Sequence, residues 1–470
     1  MSNSTFQGIS WRHVSLWLGP LLAVLVAVAM HYCGWSREAW LTGGLACLCA
    51  IWWVFEPVPI PATSLIPLGV FPLLGILDGT QVAQSYGSPL IILLMGGAML
   101  SKAMEKSGAH SRVALGMVHV FAKSDGRGSM RRLVFGFMLA SAFLSMWISN
   151  TATTLMLLPV ALAVLTRVDD QRLVLPLLLG IAYAASIGGM GTPIGTPPNV
   201  VFMKIYAENT GIDISFSQWM GWALPVVALL LPAVAWWLSR SVKGVGVDVD
   251  IDTAGPWRSE ERRVLWVFGL TALAWMTLKE PFGGWSTWLG LETANYASVA
   301  LTAVLVLFVL PDGRGGRLLD WPSASSIHWG VLLLFAGGIA LAKAFVATGI
   351  STALGELLGG LVAIPLLLLL LGICLAVTFL TEITSNTATT TLLMPILAAT
   401  ALAAGIEPAL LMLPAALSAS CAFMLPVATA PNAIAYSTGH ITVSQMARQG
   451  VILNLIGTVV IALVCFVVLP

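Results

Sequence analysis

Residues 149–159 read SNTATTLMLLP and residues 385–395 read SNTATTTLLMP, an offset of 236 with eight of eleven positions identical. A second pair follows each in the same order: residues 192–199 read TPIGTPPN and residues 425–432 read LPVATAPN, an offset of 233. The spacing is 49 residues from Asn150 to Asn199 and 46 from Asn386 to Asn432. Two matches in register mark an internal duplication. Each SNT joins two apolar segments, so residues 133–166 and 361–404 both read as polar-tipped hairpins.

The rest of the chain is just as apolar. Its 470 residues hold 22 Lys plus Arg and 21 Asp plus Glu, with 58% hydrophobic residues and a mean hydropathy of +0.92. A soluble chain of this length carries roughly 118 charged residues, at about 25%. So much apolar surface excludes a soluble enzyme or a disordered chain, and a net charge of +1 offers nothing to a polyanion. At about 20 apolar residues per crossing, there is room for roughly a dozen membrane helices. The apolar stretch from His13 to Cys33 is too long for a signal-peptide core and reads as the first retained helix. Cys33, Cys47, Cys49, Cys374, Cys421 and Cys465 lie in or beside apolar runs and fit no zinc or disulfide spacing.

Lys and Arg placement sets the expected orientation. The loops 101–132 and 240–263 are the basic ones, and with both cytoplasmic and both hairpins returning to their own side, 18 basic residues fall inside. Only Arg37, Lys204, Lys279 and Lys343 remain outside. This predicts a cytoplasmic N-terminus, an external C-terminus and two halves entering the membrane from opposite sides. The 101–132 stretch also alternates enough to form an amphipathic surface helix. Inverted repeats with matching interrupted helices are a construction principle of secondary transporters, whose sites lie near the midplane.

Ser, Asn and Thr are good helix N-caps, so each SNT opens a helix whose free N–H groups and positive dipole end suit a carboxylate. Two copies presented from opposite sides suit the two ends of a dianion without any Arg or Lys. Pro193, Gly195, Pro197 and Pro198 break one helix and Pro426 and Pro431 its counterpart. Such breaks free carbonyls, the neutral hard oxygens that sodium takes. Ser145 stands one turn before Ser149, as Thr381 does before Ser385. The alternative for any single SNT is that its side chains merely bond the preceding turn or a neighbouring helix. Glu382 is an intramembrane carboxylate that either braces backbone groups of the hairpin or takes part in coupling. Trp11, Trp17, Trp35, Trp40, Trp52 and Trp53 read as an interfacial belt. No phosphate loop, nucleophile elbow or His pair at metal-ligand spacing occurs, which disfavours primary active transport, and candidates that are Ser, Thr and Asn rather than clustered acid–base or metal residues argue against an enzyme.

With these motifs the chain resembles the divalent anion/sodium symporter family, the INDY-type dicarboxylate transporters and the sodium–citrate and sodium–sulfate carriers. The paired SNT tripeptides are that family's hallmark. The stretch Ala419–Asn432 is similar to its signature at Ser420, Phe423, Pro426 and Asn432, whereas Ala435 replaces a Val and Ala430 a common Pro.

The resemblance implies an all-α, inverted-repeat, elevator-type transporter with two re-entrant hairpins and about 11 transmembrane helices, working as a homodimer. Residues 1–83 would be mainly scaffold, 84–240 the first repeat, 241–261 a cytoplasmic linker and 262–470 the second, inverted repeat. Asn150, Thr151, Asn386 and Thr387 would contact substrate carboxylates, with Thr429 and its mate Thr196 beside them. One sodium ion would take Ser145, Ser149, Asn150 and Gly195, and another Thr381, Ser385, Asn386 and Ala428. The expected activity is sodium-coupled symport of C4-dicarboxylates such as succinate, malate or fumarate across a bacterial inner membrane. Sodium-independent exchange, a citrate or sulfate substrate, and a passive anion channel are the alternatives.

Overall fold

The computed structural model describes residues 11–122, 129–168, 170–242, 255–353 and 364–469. Most of the expected linker and the first three residues of the second expected hairpin lie outside them. The described residues are helical with no strand; one isolated bridge joins Pro311 and Arg317. Among the described residues, nine helices are long and apolar enough to cross a membrane, and four further apolar stretches are shorter. Helix follows from the composition, because in hydrocarbon each backbone donor and acceptor must be paired within its own segment.

The first hairpin consists of helices Met130–Ser145 and Asn150–Val168, and the second of Leu366–Leu380 and Asn386–Ala403. Their leading arms have 16 and 15 residues. At 1.5 Å per residue these reach about 22–24 Å, short of a hydrocarbon core of about 30 Å, so each arm ends inside it. In each half both arms pack on the helix that enters the following break, Gln171–Gly189 in the first and Pro408–Ser418 in the second. The sequence predicts an apolar segment through 409–425, but its helix stops at Ser418 and residues 419–429 run non-helical to the next helix.

The halves interlock. The helix after the first break, Pro197–Thr210, packs on Asn386–Ala403 of the second hairpin, and Ala430–Ser437 packs on Asn150–Val168 of the first. This exchange turns two copies distant in sequence into one body with its hairpin tips facing each other. Beside it stand Pro89–Ser107 and Trp329–Ala347, which occupy corresponding places before the two hairpins.

The amphipathic stretch forms the helix Ala109–Ala122, turned off the preceding one at Gly108, where φ is +74°. Three polar connections meet at this end of the molecule. Lys106 lies 2.6 Å from Asp320, Arg112 lies 2.7 Å from Glu261, and Arg314 lies 3.1 Å from Glu260. The Lys106 ammonium, helped by the Ser323 backbone N–H, holds the Asp320 carboxyl well below the usual carboxylate range. Glu261 is pushed up by burial, but the Arg258 backbone N–H and the Arg258 and Arg112 guanidinium groups outweigh this and leave it below its ordinary value. The basic loops assigned to one side by charge are thus neighbours in space.

The tryptophan belt needs one correction. Trp53 is fully buried and donates from Nε1 to Ser64 Oγ at 3.1 Å, so it pins the helix turn at residues 60–64 rather than the membrane interface. Cys49, Cys374, Cys421 and Cys465 are buried and all six cysteines are free thiols.

Candidate functional site

Each hairpin tip is organised by one internal hydrogen bond. Ser145 Oγ donates to Asn150 Oδ1 at 2.5 Å, and Thr381 Oγ1 donates to Asn386 Oδ1 at 2.6 Å. The bond folds the asparagine back over the last turn of the leading arm and fixes its carboxamide. One turn further on, Thr154 Oγ1 and Thr390 Oγ1 donate to the backbone carbonyls of Asn150 and Asn386, both at 2.8 Å.

The two breaks are braced in the same way. Asn199 Nδ2 donates to the carbonyls of Gly189 at 3.0 Å and Thr192 at 2.7 Å. Asn432 Nδ2 donates to those of Ala422 at 2.9 Å and Leu425 at 3.0 Å, the residues at the same offset of 233. Each carboxamide therefore takes up two carbonyls that a proline-broken helix leaves without N–H partners. The unwound residues enter the next helix through Thr196 (φ −145°, ψ 145°) and Thr429 (φ −142°, ψ 153°), both extended.

The four helices beginning at Asn150, Pro197, Asn386 and Ala430 start around one cavity of about 410 Å³. Ser149, Asn150, Thr151, Gly195, Thr196, Ser385, Asn386, Thr387, Ala428 and Thr429 all line it. Ser145 and Thr381 do not; both are fully buried one turn behind and reach the site only through the asparagines they hold. Each residue that the sequence offers as a substrate or sodium ligand is thus either on the cavity wall or bonded to a residue that is. Four positive helix ends suit a small dianion because the dipole favours negative charge; N–H groups come chiefly from the two SNT-opened helices, since Pro197, Pro198 and Pro431 carry none and the Asn199 and Asn432 N–H groups are bonded to Thr196 and Thr429.

Around the first tip, neutral oxygens converge. A methyl added at Gly189 would lie 2.7 Å from Asn150 Oδ1 and 3.3 Å from the Gly195 carbonyl oxygen. A methyl added at Gly195 would lie 2.5 Å from the Gly189 carbonyl and 3.0 Å from that of Met146. Hydroxyl, amide and carbonyl oxygens without full charge are the donor set that sodium accepts and that softer metals do not require.

Other residues carry weight that their sequence context did not reveal. Asn199 and Asn432 stand in the repeated motif but have a bracing part that only their bonds disclose. Glu382 accepts from the backbone N–H of Met424 at 2.8 Å and Leu425 at 3.0 Å, and from Asn454 Nδ2 at 2.7 Å. Of its two readings, the structure shows bracing, directed at the second break rather than at the hairpin. Lys343, deep in its helix, does not line the cavity; it sits 3.9 Å from Glu208 on the helix Pro197–Thr210. The opposite wall of the cavity, formed by Pro89–Ser107 and residues 327–335, carries Ser101, Lys102, Glu105 and His328. The sequence places Lys102 in a loop, but the helix runs on to Ser107 and brings it to the cavity.

Comparison with known proteins agrees with this geometry. The citrate transporter family (CitMHS) matches residues 50–416. The sodium-dependent dicarboxylate transporter SdcS of Staphylococcus aureus strain bovine RF122 / ET3-1 is 37% identical, over 97% of this chain and 91% of that protein. SdcS of strain USA300 is equally similar. The fold resembles the crystal structure of the Alcanivorax borkumensis YdaH transporter, described as having an unusual topology, with a TM-score of 0.55 at 15% identity over 83% of this chain and 88% of that one. A duplicated pair of hairpins and broken helices around one polar cavity, and similarity over nearly the whole length, lead to the same assignment: the chain belongs to the citrate transporter family.

Proposed function

We propose that this protein is a secondary active transporter that carries a C4-dicarboxylate such as succinate, malate or fumarate together with sodium by alternating access. The observation that carries this reading is the meeting of two equivalent SNT tips and four helix N-termini in one cavity. Asn150 and Thr151 with Thr196 would take one carboxylate, and Asn386 and Thr387 with Thr429 the other. One sodium ion would sit among Ser145, Ser149, Asn150 and Gly195, and a second among Thr381, Ser385, Asn386 and Ala428. A bound cation completes each tip, because its charge offsets the substrate carboxylate beside it, which makes anion affinity depend on sodium. The transport step follows the elevator scheme. The interlocked hairpins and broken helices move as one body, past a scaffold that includes residues 1–83 and, in this reading, the helices Pro89–Ser107 and Trp329–Ala347. A homodimer fixes the scaffold in the membrane.

Lys102, Glu105 and His328 line the cavity toward the end where Lys106 meets Asp320. With the basic loops in the cytoplasm of a bacterial cell, this is an inward-facing state, with the N-terminus inside and the C-terminus outside. The names of the relatives favour a dicarboxylate, while the family description keeps citrate as the second substrate to test.

The test is radiolabelled succinate uptake into proteoliposomes, comparing an inward sodium gradient with potassium, with and without succinate preloaded. Accumulation that requires external sodium and no internal substrate is the expected result. Uptake that requires preloaded dicarboxylate and ignores sodium would make the protein an exchanger and remove the two sodium sites. Competition by citrate under the same gradient separates the two substrates.

A further inference from the structure

We propose that Lys102 is a movable anion-attracting arm for the substrate, held in reserve by Glu105 on the cavity wall opposite the SNT tips. The inference rests on the transport reading above and adds a positioning residue to it. Among the described residues lining the cavity, Lys102 is the one Lys or Arg and Glu105 the one Asp or Glu. Lys102 Nζ lies 2.7 Å from Glu105 Oε2, and the two side chains are 24% and 25% exposed. A partly solvated i,i+3 pair of this kind changes an equilibrium constant by about fivefold at most, so its ammonium is released at little cost. An incoming dianion carries twice the charge of Glu105 and competes well for the same ammonium.

A second polar group on this wall is left unsatisfied. Ser101, next to Lys102, lines the cavity at 7% exposure, and its Oγ is buried without a hydrogen-bond partner. A buried hydroxyl is ordinarily satisfied, so this wall holds, beside Lys102, a donor to which the protein supplies no acceptor. The corresponding helix Trp329–Ala347 contributes only Val331, Leu332 and Phe335 to the lining. The arm therefore belongs to one repeat alone. It would draw a carboxylate into the cavity from the end bearing Lys106 and Asp320, then yield it to the tips and return to Glu105.

The experiment is calorimetric titration of succinate into the purified full-length protein in detergent, at saturating sodium and one pH, since His328 lines the same cavity. Lys102→Met leaves Glu105 facing the anion and is expected to weaken binding about tenfold. Glu105→Gln frees the ammonium and is expected to tighten it severalfold, with the double variant between the two. Added choline chloride should shrink both differences, and Lys102→Arg should lose far less than Lys102→Met. Lys102→Gln replaces Lys102→Met should the latter not remain monodisperse. A pair that only fastens the helix would make both single variants weaken binding alike, or change neither, and either result overturns the proposal. Wild-type protein that binds no succinate with sodium overturns the transport reading itself, an outcome visible before any variant is compared.

Discussion

The two hairpin tips bond their asparagines in the same way, yet the structure behind them differs. In the first half, position 146 is methionine, whose backbone carbonyl accepts from the Thr192 hydroxyl, and Trp219 Nε1 donates to the Met190 carbonyl at 3.0 Å. In the second half the equivalent position is Glu382, and its carboxylate holds two backbone N–H groups and Asn454. The first break is tight: Gly195 has no room for a methyl, since one would lie 2.5 Å from the Gly189 carbonyl. The second carries that methyl already, as Ala428. Capping is also exchanged between halves. Ser149 accepts from the Ala152 N–H at 3.2 Å while Thr196 makes no capping bond, whereas Thr429 accepts from the Asn432 N–H at 3.2 Å while Ser385 makes none. The duplication has kept the groups that face the cavity and let the supports drift, one toward close packing and the other toward a buried carboxylate.

The largest effects are expected at the two tip asparagines. Asn150→Ala and Asn386→Ala should each abolish succinate uptake in proteoliposomes while the purified protein stays folded, because each removes one tip's fixed carboxamide. Normal uptake by either would end the equivalence of the tips. Next in size is the glycine–alanine exchange. Overpacking a close site costs about 1–3 kcal/mol, so Gly195→Ala should lower sodium-driven uptake roughly 10- to 100-fold. Ala428→Gly, which removes a methyl the second break tolerates, should stay within about threefold in the same assay.

The supports are tested by stability rather than transport. Glu382→Gln turns an acceptor for three donors into a group with its own N–H, and should cost about 2–4 kcal/mol, read as a lower thermal midpoint in detergent. Met146→Leu, a volume-conserving change at the equivalent place, should cost less than about 1.5 kcal/mol. A modest effect on coupling is expected at Thr381→Ala, which removes a hydroxyl bonded to Asn386 Oδ1 and, at 3.0 Å, to the Ala419 carbonyl. Its sodium titration should shift severalfold while the ranking of competing anions stays as in the wild type. An unchanged sodium titration would argue against a cation site at the second tip.

Much of the site was legible because the repeat points to it. Residue types that cap helices, standing at the inner end of an arm too short to cross, have few uses inside a membrane, and finding them twice in register narrows these further. Lys102 escaped this reading because hydropathy ends a segment where charge begins, whereas the helix itself runs on to Ser107. Trp53 escaped it because nearness to a segment end cannot tell an interfacial indole from one packed inward on Ser64. The stretch 419–429 is apolar enough to look helical at its start. Its departure from helix is fixed by the bonds of Asn432 and Glu382 to its carbonyls and N–H groups, made by residues up to 43 positions away.

Sequence by itself determined that the chain is a helical membrane protein built from two copies of one unit, with its polar chemistry at the tips and breaks. Composition and periodic repetition are properties of the chain alone, and the bilayer leaves the backbone no other way to pair its groups. Tertiary structure decided that the four helix ends belong to one site. That depends on the exchange of Pro197–Thr210 and Ala430–Ser437 onto the opposite hairpins. It also decided the fate of each charge: Glu382 turned to the backbone of the break, Lys343 to Glu208, and Lys102 to the cavity with Glu105. A buried or half-buried charge is placed by whichever partner the packed fold brings within a few ångströms, and no local pattern encodes that distance.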